Sequence, residues 1–142
     1  DGDFNIDHFT ERYEADLASG LGNFAARVSA LGKKYGVGNT TSPEKVVQDA
    51  VQTAQKAVDE KMRGYRFHEA VAAVWGLIAF GDRYVSEQKP WEKTVTESDR
   101  AIAIGNALYL LNRFAEFLAP FLPHTSEEIK KGNTGGLFPR VR

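Results

Sequence analysis

The sequence predicts an all-α helical bundle of four to five main helices that ends in a short extended tail. Three observations carry this. Apolar residues recur every three or four positions almost throughout the chain. No segment sustains the apolar–polar alternation of a half-buried strand. Capping and breaking residues cut the periodic stretches into pieces of ordinary helix length. No repeat of solenoid length is present, so the helices are expected to pack around one core.

Each element has its own signal. Ile6, Phe9, Tyr13, Leu17, Leu21, Phe24, Val28 and Leu31 form the first apolar stripe. Asn5 can cap it and Asp7 adds negative charge to its first turn. Gly20 and Gly22 weaken the stripe locally, which predicts a bend or a break there. Gly36 and Gly38 end it, and residues 39–42 read as a polar loop. Ser42-Pro43-Glu44 reads as a helix start, with a capping hydroxyl and proline at the first helical position. Val47, Val51, Ala54, Val58 and Met62 follow, and Gly64 breaks that helix. Phe67, Ala70, Val71, Val74, Trp75, Ile78 and Val85 mark a third helix ending near Glu87 or Gln88, with Trp75 assigned to the core.

Lys89-Pro90-Trp91 is a turn, because proline lacks a donor and disfavours helix at Lys89. Thr96 or Ser98 caps a fourth helix carrying Ile102, Ile104, Leu108, Leu111, Phe114, Ala115 and Leu118, stopped by Pro120 and Pro123. Thr125 and Glu128 suggest a capping box over a short last helix. Residues 132–142 read as loop and extended tail, and residues 1–142 as a single domain.

Composition excludes several classes of function. With 42% hydrophobic and 26% charged residues, the chain is neither a disordered tail nor a fibre. It has no cysteine, so disulfides, thiolate metal sites and cysteine nucleophiles are excluded. A formal charge of -1 argues against holding nucleic acid by bulk attraction to phosphate. Any such binding must use a few placed side chains. No apolar run approaches the ~20 residues of a membrane span. His8, His68 and His124 lie in separate segments without metal-ligand spacing, and no metal site or catalytic constellation is read from the chain. The chain opens on Asp1 with Met62 its one methionine, and it reads as a piece of a longer protein or a processed one.

Three residues stand out. Asn23 and Arg27 are four apart on one helix and share a face. They lie roughly 70–110° from the centre of the apolar stripe, where a side chain is both anchored and accessible. Lys34 lies two turns further along that flank and Asp16 two turns before Asn23. An amide beside a guanidinium offers donors and an acceptor to the edges of unpaired bases. The same flank equally suits an ordinary helix-to-helix hydrogen bond. Trp91 follows proline in a turn between Lys89 and Lys93, a platform on which a base can stack, or else a plug for the end of the bundle.

These residues fall within a wider resemblance. Residues 9–28, the run Tyr84 to Glu92, the run Leu118 to Ile129 and Leu137-Phe138-Pro139-Arg140 resemble the anticodon-binding domain of the methionyl-tRNA synthetases. The resemblance covers essentially the whole chain in order. It implies that Asn23 and Arg27 read anticodon bases and that Trp91 stacks on the first base of CAU. Lys34, Lys89 and Lys93 would be auxiliary RNA contacts. The partners implied are the tRNA(Met) anticodon loop and the catalytic domain of a parent ligase, in the cytoplasm, with no membrane or DNA. That catalytic domain's signatures, His-Ile-Gly-His and Lys-Met-Ser-Lys-Ser, have no counterpart here, and Lys61-Met62-Arg63 is not a match. ATP and Mg2+ would belong to the parent, with no cofactor in this domain, and the fragment alone should be inactive. Glu14 and Ser19 depart from the asparagines of many relatives. Two other readings remain: the equivalent domain of a leucyl-, valyl- or isoleucyl-type synthetase, and a helical protein-interaction domain without an RNA role.

Overall fold

The computed structural model describes residues 20–120 and, beyond them, Ser126, Glu127 and Ile129. The expected helix start at Asn5, the expected capping box of Thr125 and Glu128, and the extended tail lie outside the described residues. Four long helices follow in order: α1 (Leu21–Tyr35), α2 (Lys45–Arg63), α3 (Phe67–Gln88) and α4 (Glu97–Leu118). Ser126, Glu127 and Ile129 are helical as well, and the described residues contain no strand. The all-α bundle expected from the sequence is the observed fold.

Each helix buries the stripe that made it legible. From α1 come Leu21, Phe24 and Val28; from α2 Val47, Val51, Ala54 and Val58; from α3 Ala70, Val74, Leu77 and Ile78; from α4 Leu110, Leu111, Phe114 and Leu118. At the centre, Phe24 meets Phe114 with ring centroids 5.3 Å apart, tilted by 54°. Gly81 lets α3 pass over this pair, because a Cβ there would lie 3.1 Å from Phe114 and 3.2 Å from Phe24. Gly36 ends α1 in the left-handed region at φ 66°, and its N–H donates to the Gly32 carbonyl.

Two helix starts separate local from tertiary causes. At α4, Thr96 is the cap: its hydroxyl accepts from the Asp99 N–H at 3.0 Å, with Glu97 and Asp99 in the first turn. At α2 the expected Ser42–Pro43 start is displaced. The helix begins at Lys45, after Glu44, and no side chain caps it locally. Instead, buried Asn106 of α4 reaches across and accepts the Glu44 N–H at 2.8 Å, while its amide donates to the Ile102 carbonyl. The Glu44 carboxylate accepts from the buried Tyr84 hydroxyl. Ser42 is drawn into the loop, its N–H donating to Thr40 Oγ1.

Two further expectations are corrected by register. Trp75 lies one position past Val74, so it packs against the core from its rim and is only half-buried. Ile102 precedes the buried run Ala103 to Ala107 and is 45% exposed.

Candidate functional site

The singled-out residues run along α1 toward the bundle end that carries the C-termini of α1 and α3 and the N-termini of α2 and α4. On α1, Asn23, Arg27, Ala30 and Lys34 form one exposed stripe at helical spacing. Val28 and Phe24, on the adjoining face, are buried and hold the helix down. The Arg27 guanidinium lies 3.6 Å from Asp82 of α3, with the two side chains 40% and 47% exposed. That pair is loose and solvated, so it contributes little to stability and leaves guanidinium donors accessible. Burial pushes the Asp82 carboxyl above the usual carboxylate range, and the Arg27 charge opposes the shift. The stripe therefore carries a cation beside a reluctant anion.

Trp91 sits in the turn between α3 and α4. Lys89 caps α3 in the left-handed region, at φ 46° and ψ 56°, and donates its N–H to the Val85 carbonyl. The Glu92 N–H closes the turn on the Lys89 carbonyl at 3.0 Å, which puts Pro90 and Trp91 at its two central positions. Pro90 is buried, whereas Lys89, Lys93 and Trp91 are exposed, Trp91 by 42%. The indole is thus no plug for the core.

One side chain ties these parts together. Arg100, in the second turn of α4, donates through Nε to the Pro90 carbonyl at 2.7 Å. Through Nη2 it donates to the carbonyls of Glu92 at 2.9 Å and Val95 at 3.3 Å. Its guanidinium carbon lies 4.7 Å from the ring centroid of Tyr35, the last residue of α1. Lys34 Nζ lies 5.3 Å from the same ring. The turn, the end of α1 and Lys34 therefore meet. Arg27 and Asn23 lie about two and three helical turns back along α1, roughly 12 and 18 Å of rise before Tyr35.

Chemically, the arrangement is an exposed indole on a held turn, followed along one helix by ammonium, guanidinium and amide groups. Such a track suits unstacked bases, with a stacking surface at one end and base-edge donors further on. Sequence reasoning missed Arg100, Tyr35 and Asp82. Arg100 and Asp82 look like any charged helical residue in sequence, and nothing local pairs Arg100 with Tyr35. An aromatic at a helix end beside Lys34 was the one available sign. Among the described residues, no group of three His, Asp or Glu side chains can hold a metal ion, and no helix is long and apolar enough to cross a membrane.

Known proteins resemble this chain over most of its length. Residues 44–137 match the family described as the anticodon-binding domain of tRNA ligase. The methionine–tRNA ligase of Clostridium acetobutylicum is 33% identical over 141 residues, which cover 92% of this chain and 22% of that protein. The methionine–tRNA ligase of Thermococcus kodakarensis is 31% identical, with 91% and 18% covered. The chain thus spans about a fifth of the length of these relatives. The solved Mycobacterium tuberculosis methionyl-tRNA synthetase in complex with methionyl-adenylate superposes with a TM-score of 0.67 at 22% identity, covering 94% of this chain and 33% of that one. At that identity the superposition speaks for the fold.

Proposed function

The chain belongs to the anticodon-binding domains of tRNA ligases, and from that premise we propose that it reads the CAU anticodon of tRNA(Met) for a methionine–tRNA ligase. Trp91 stacks on the first anticodon base, and Asn23 and Arg27 hydrogen-bond the edges of the splayed bases that follow. Lys34, Lys89 and Lys93 hold the flanking phosphates. The observation that carries this reading is the exposed Trp91 turn, secured to the same helix whose polar stripe presents Asn23 and Arg27. Near-neutral net charge suits it, because discrimination then comes from stacking and base edges rather than from bulk phosphate attraction.

Aminoacylation belongs to the whole ligase, acting in the cytoplasm with ATP and Mg2+ on its catalytic domain. No step carried by this chain's residues needs either cofactor. Here the chain binds, splays and orients the anticodon loop, and so helps fix where the distant acceptor end lies. The methionine-specific reading is favoured by the names of the relatives over most of the chain's length.

Competition among RNA hairpins tests the proposal. The hairpin with a CAU loop should bind best, and in the full-length ligase Arg27→Ala and Trp91→Ala should slow charging of tRNA(Met) while circular dichroism stays unchanged. A preference for a leucine, valine or isoleucine anticodon reassigns the chain to a sister ligase. Equal, weak competition by all loops removes the RNA role and leaves a protein-interaction domain.

A further inference from the structure

We propose that Arg100 is a positioning residue for the Trp91 ring, and that its cation–π contact with Tyr35 sets the offset between that ring and the Asn23–Arg27 pair. This rests on the anticodon-reading role proposed above.

The Trp91 indole is 42% exposed, so core packing does not fix its place. Its backbone must. The turn supplies two backbone bonds of its own, from Glu92 N–H to the Lys89 carbonyl and from Val95 N–H to the Glu92 carbonyl. Its entry is strained, because Lys89 carries φ 46° immediately before a proline. A non-glycine residue persists there only when its surroundings over-determine it.

Arg100 supplies that determination. Its donors take the carbonyls of Pro90, Glu92 and Val95, which bracket Trp91 on both sides. These are charge-assisted bonds, stronger than neutral ones. The guanidinium carbon lies over the Tyr35 ring, 4.7 Å from its centroid. One cation thus bonds the turn through its N–H groups and meets the end of α1 through the Tyr35 ring. Because α1 is a continuous helix from Leu21 to Tyr35, docking the turn on Tyr35 converts the fixed rise of that helix into a fixed spacing. The stacking ring is held at a set distance from the base-reading pair. Lysine cannot substitute, since a single ammonium cannot reach all three carbonyls from the Nε and Nη2 positions while lying over the ring.

The test uses the chain with Trp75→Phe, which leaves Trp91 as its one indole. Time-resolved fluorescence anisotropy then reads the local motion of that ring. Arg100→Ala, Arg100→Lys and Tyr35→Ala should each add a fast depolarising component, and Tyr35→Phe should not. CAU hairpin affinity should fall roughly tenfold in Arg100→Ala. Discrimination against a hairpin changed at the first anticodon base should collapse, while discrimination at the other two positions persists. In a Trp91→Ala background, Arg100→Ala should cost less than twofold more, because its effect runs through the ring. An unchanged anisotropy decay in Arg100→Ala, or an affinity loss that simply adds to that of Trp91→Ala, overturns the positioning role. Should Arg100→Ala fail to fold, Tyr35→Ala against Tyr35→Phe decides the same point. Full CAU affinity in Trp91→Ala alone would instead sink the anticodon-reading role, and the anisotropy would still report whether Arg100 holds the turn.

Discussion

Two turns at opposite ends of α3 look alike locally and differ in what holds them. At one end Tyr65, 80% exposed, sits at φ 58° between α2 and α3. At the other, roughly 33 Å away along a helix of 22 residues, Lys89 sits at φ 46° before the exposed Trp91. Each turn has an aromatic, a strained residue and a nearby arginine. The arginines are spent differently. Arg66 makes a bidentate pair with Glu69, which also meets Lys61 at the end of α2, so its contacts stay within the two helix ends that the turn itself joins. Arg100 bonds three carbonyls around Trp91 and lies over the ring of Tyr35 on a third helix. Two exposed aromatics on tight turns are therefore held in different ways. The difference lies in whether long-range contacts fix the backbone beneath the ring.

The sharpest way to break this contrast is to delete the two rings. Trp91→Ala should weaken binding of a CAU hairpin by about 10- to 100-fold, the size of one base-stacking contact, and Tyr65→Ala should leave it unchanged. Fluorescence titration with labelled hairpin measures both.

Next in size is the far-reaching cap beside the Trp91 end. Asn106→Ala should cost about 2 kcal/mol in denaturant unfolding, because the Glu44 N–H loses its acceptor in a partly buried place. Arg66→Ala, at the other end, removes a solvated pair and should leave the denaturant midpoint nearly unchanged.

The same end should also carry an alkaline sensitivity. Burial pushes the Tyr84 phenol far above its ordinary range, and the hydrogen bond and charge of Glu44 push it further. The folded chain keeps this proton where the unfolded chain releases it. Its contribution is thus complete below the unfolded value of about 10 and declines as pH rises beyond it. Tyr84→Phe should lose about 1 kcal/mol at neutral pH and show a flatter decline toward about pH 11, read by denaturant melts at both.

The smallest expected effect compares the strained residues themselves. Tyr65→Gly and Lys89→Gly each relieve a left-handed backbone but loosen the unfolded chain, for a net change of roughly 0.5 kcal/mol or less. Thermal melts should place the two variants together. Hairpin binding should separate them, with only Lys89→Gly losing affinity as the Trp91 turn slackens.

Much of the bundle was legible before any coordinates. The stripes through Phe24, Val51, Val74 and Phe114 and the stops at Gly36, Gly64 and Pro90 are signals carried within a few residues of one another. Helix spacing, a cap such as Thr96 and a glycine stop act over three or four positions, so sequence narrows them, and α4 starts at the first of the two caps offered, Thr96 and Ser98. Asn23, Arg27 and Trp91 were legible as candidates for the same reason, through one helical flank and one proline turn. Only the tertiary structure decided the rest. Asn106 capping α2 across 62 residues, Tyr84 meeting Glu44, and Arg100 joining the Trp91 turn to Tyr35 leave no local pattern. Each is a polar group satisfied by whichever partner the packing of apolar stripes brings close. Burial of those stripes selects the arrangement, and the polar contacts that shape the candidate site are chosen only after it.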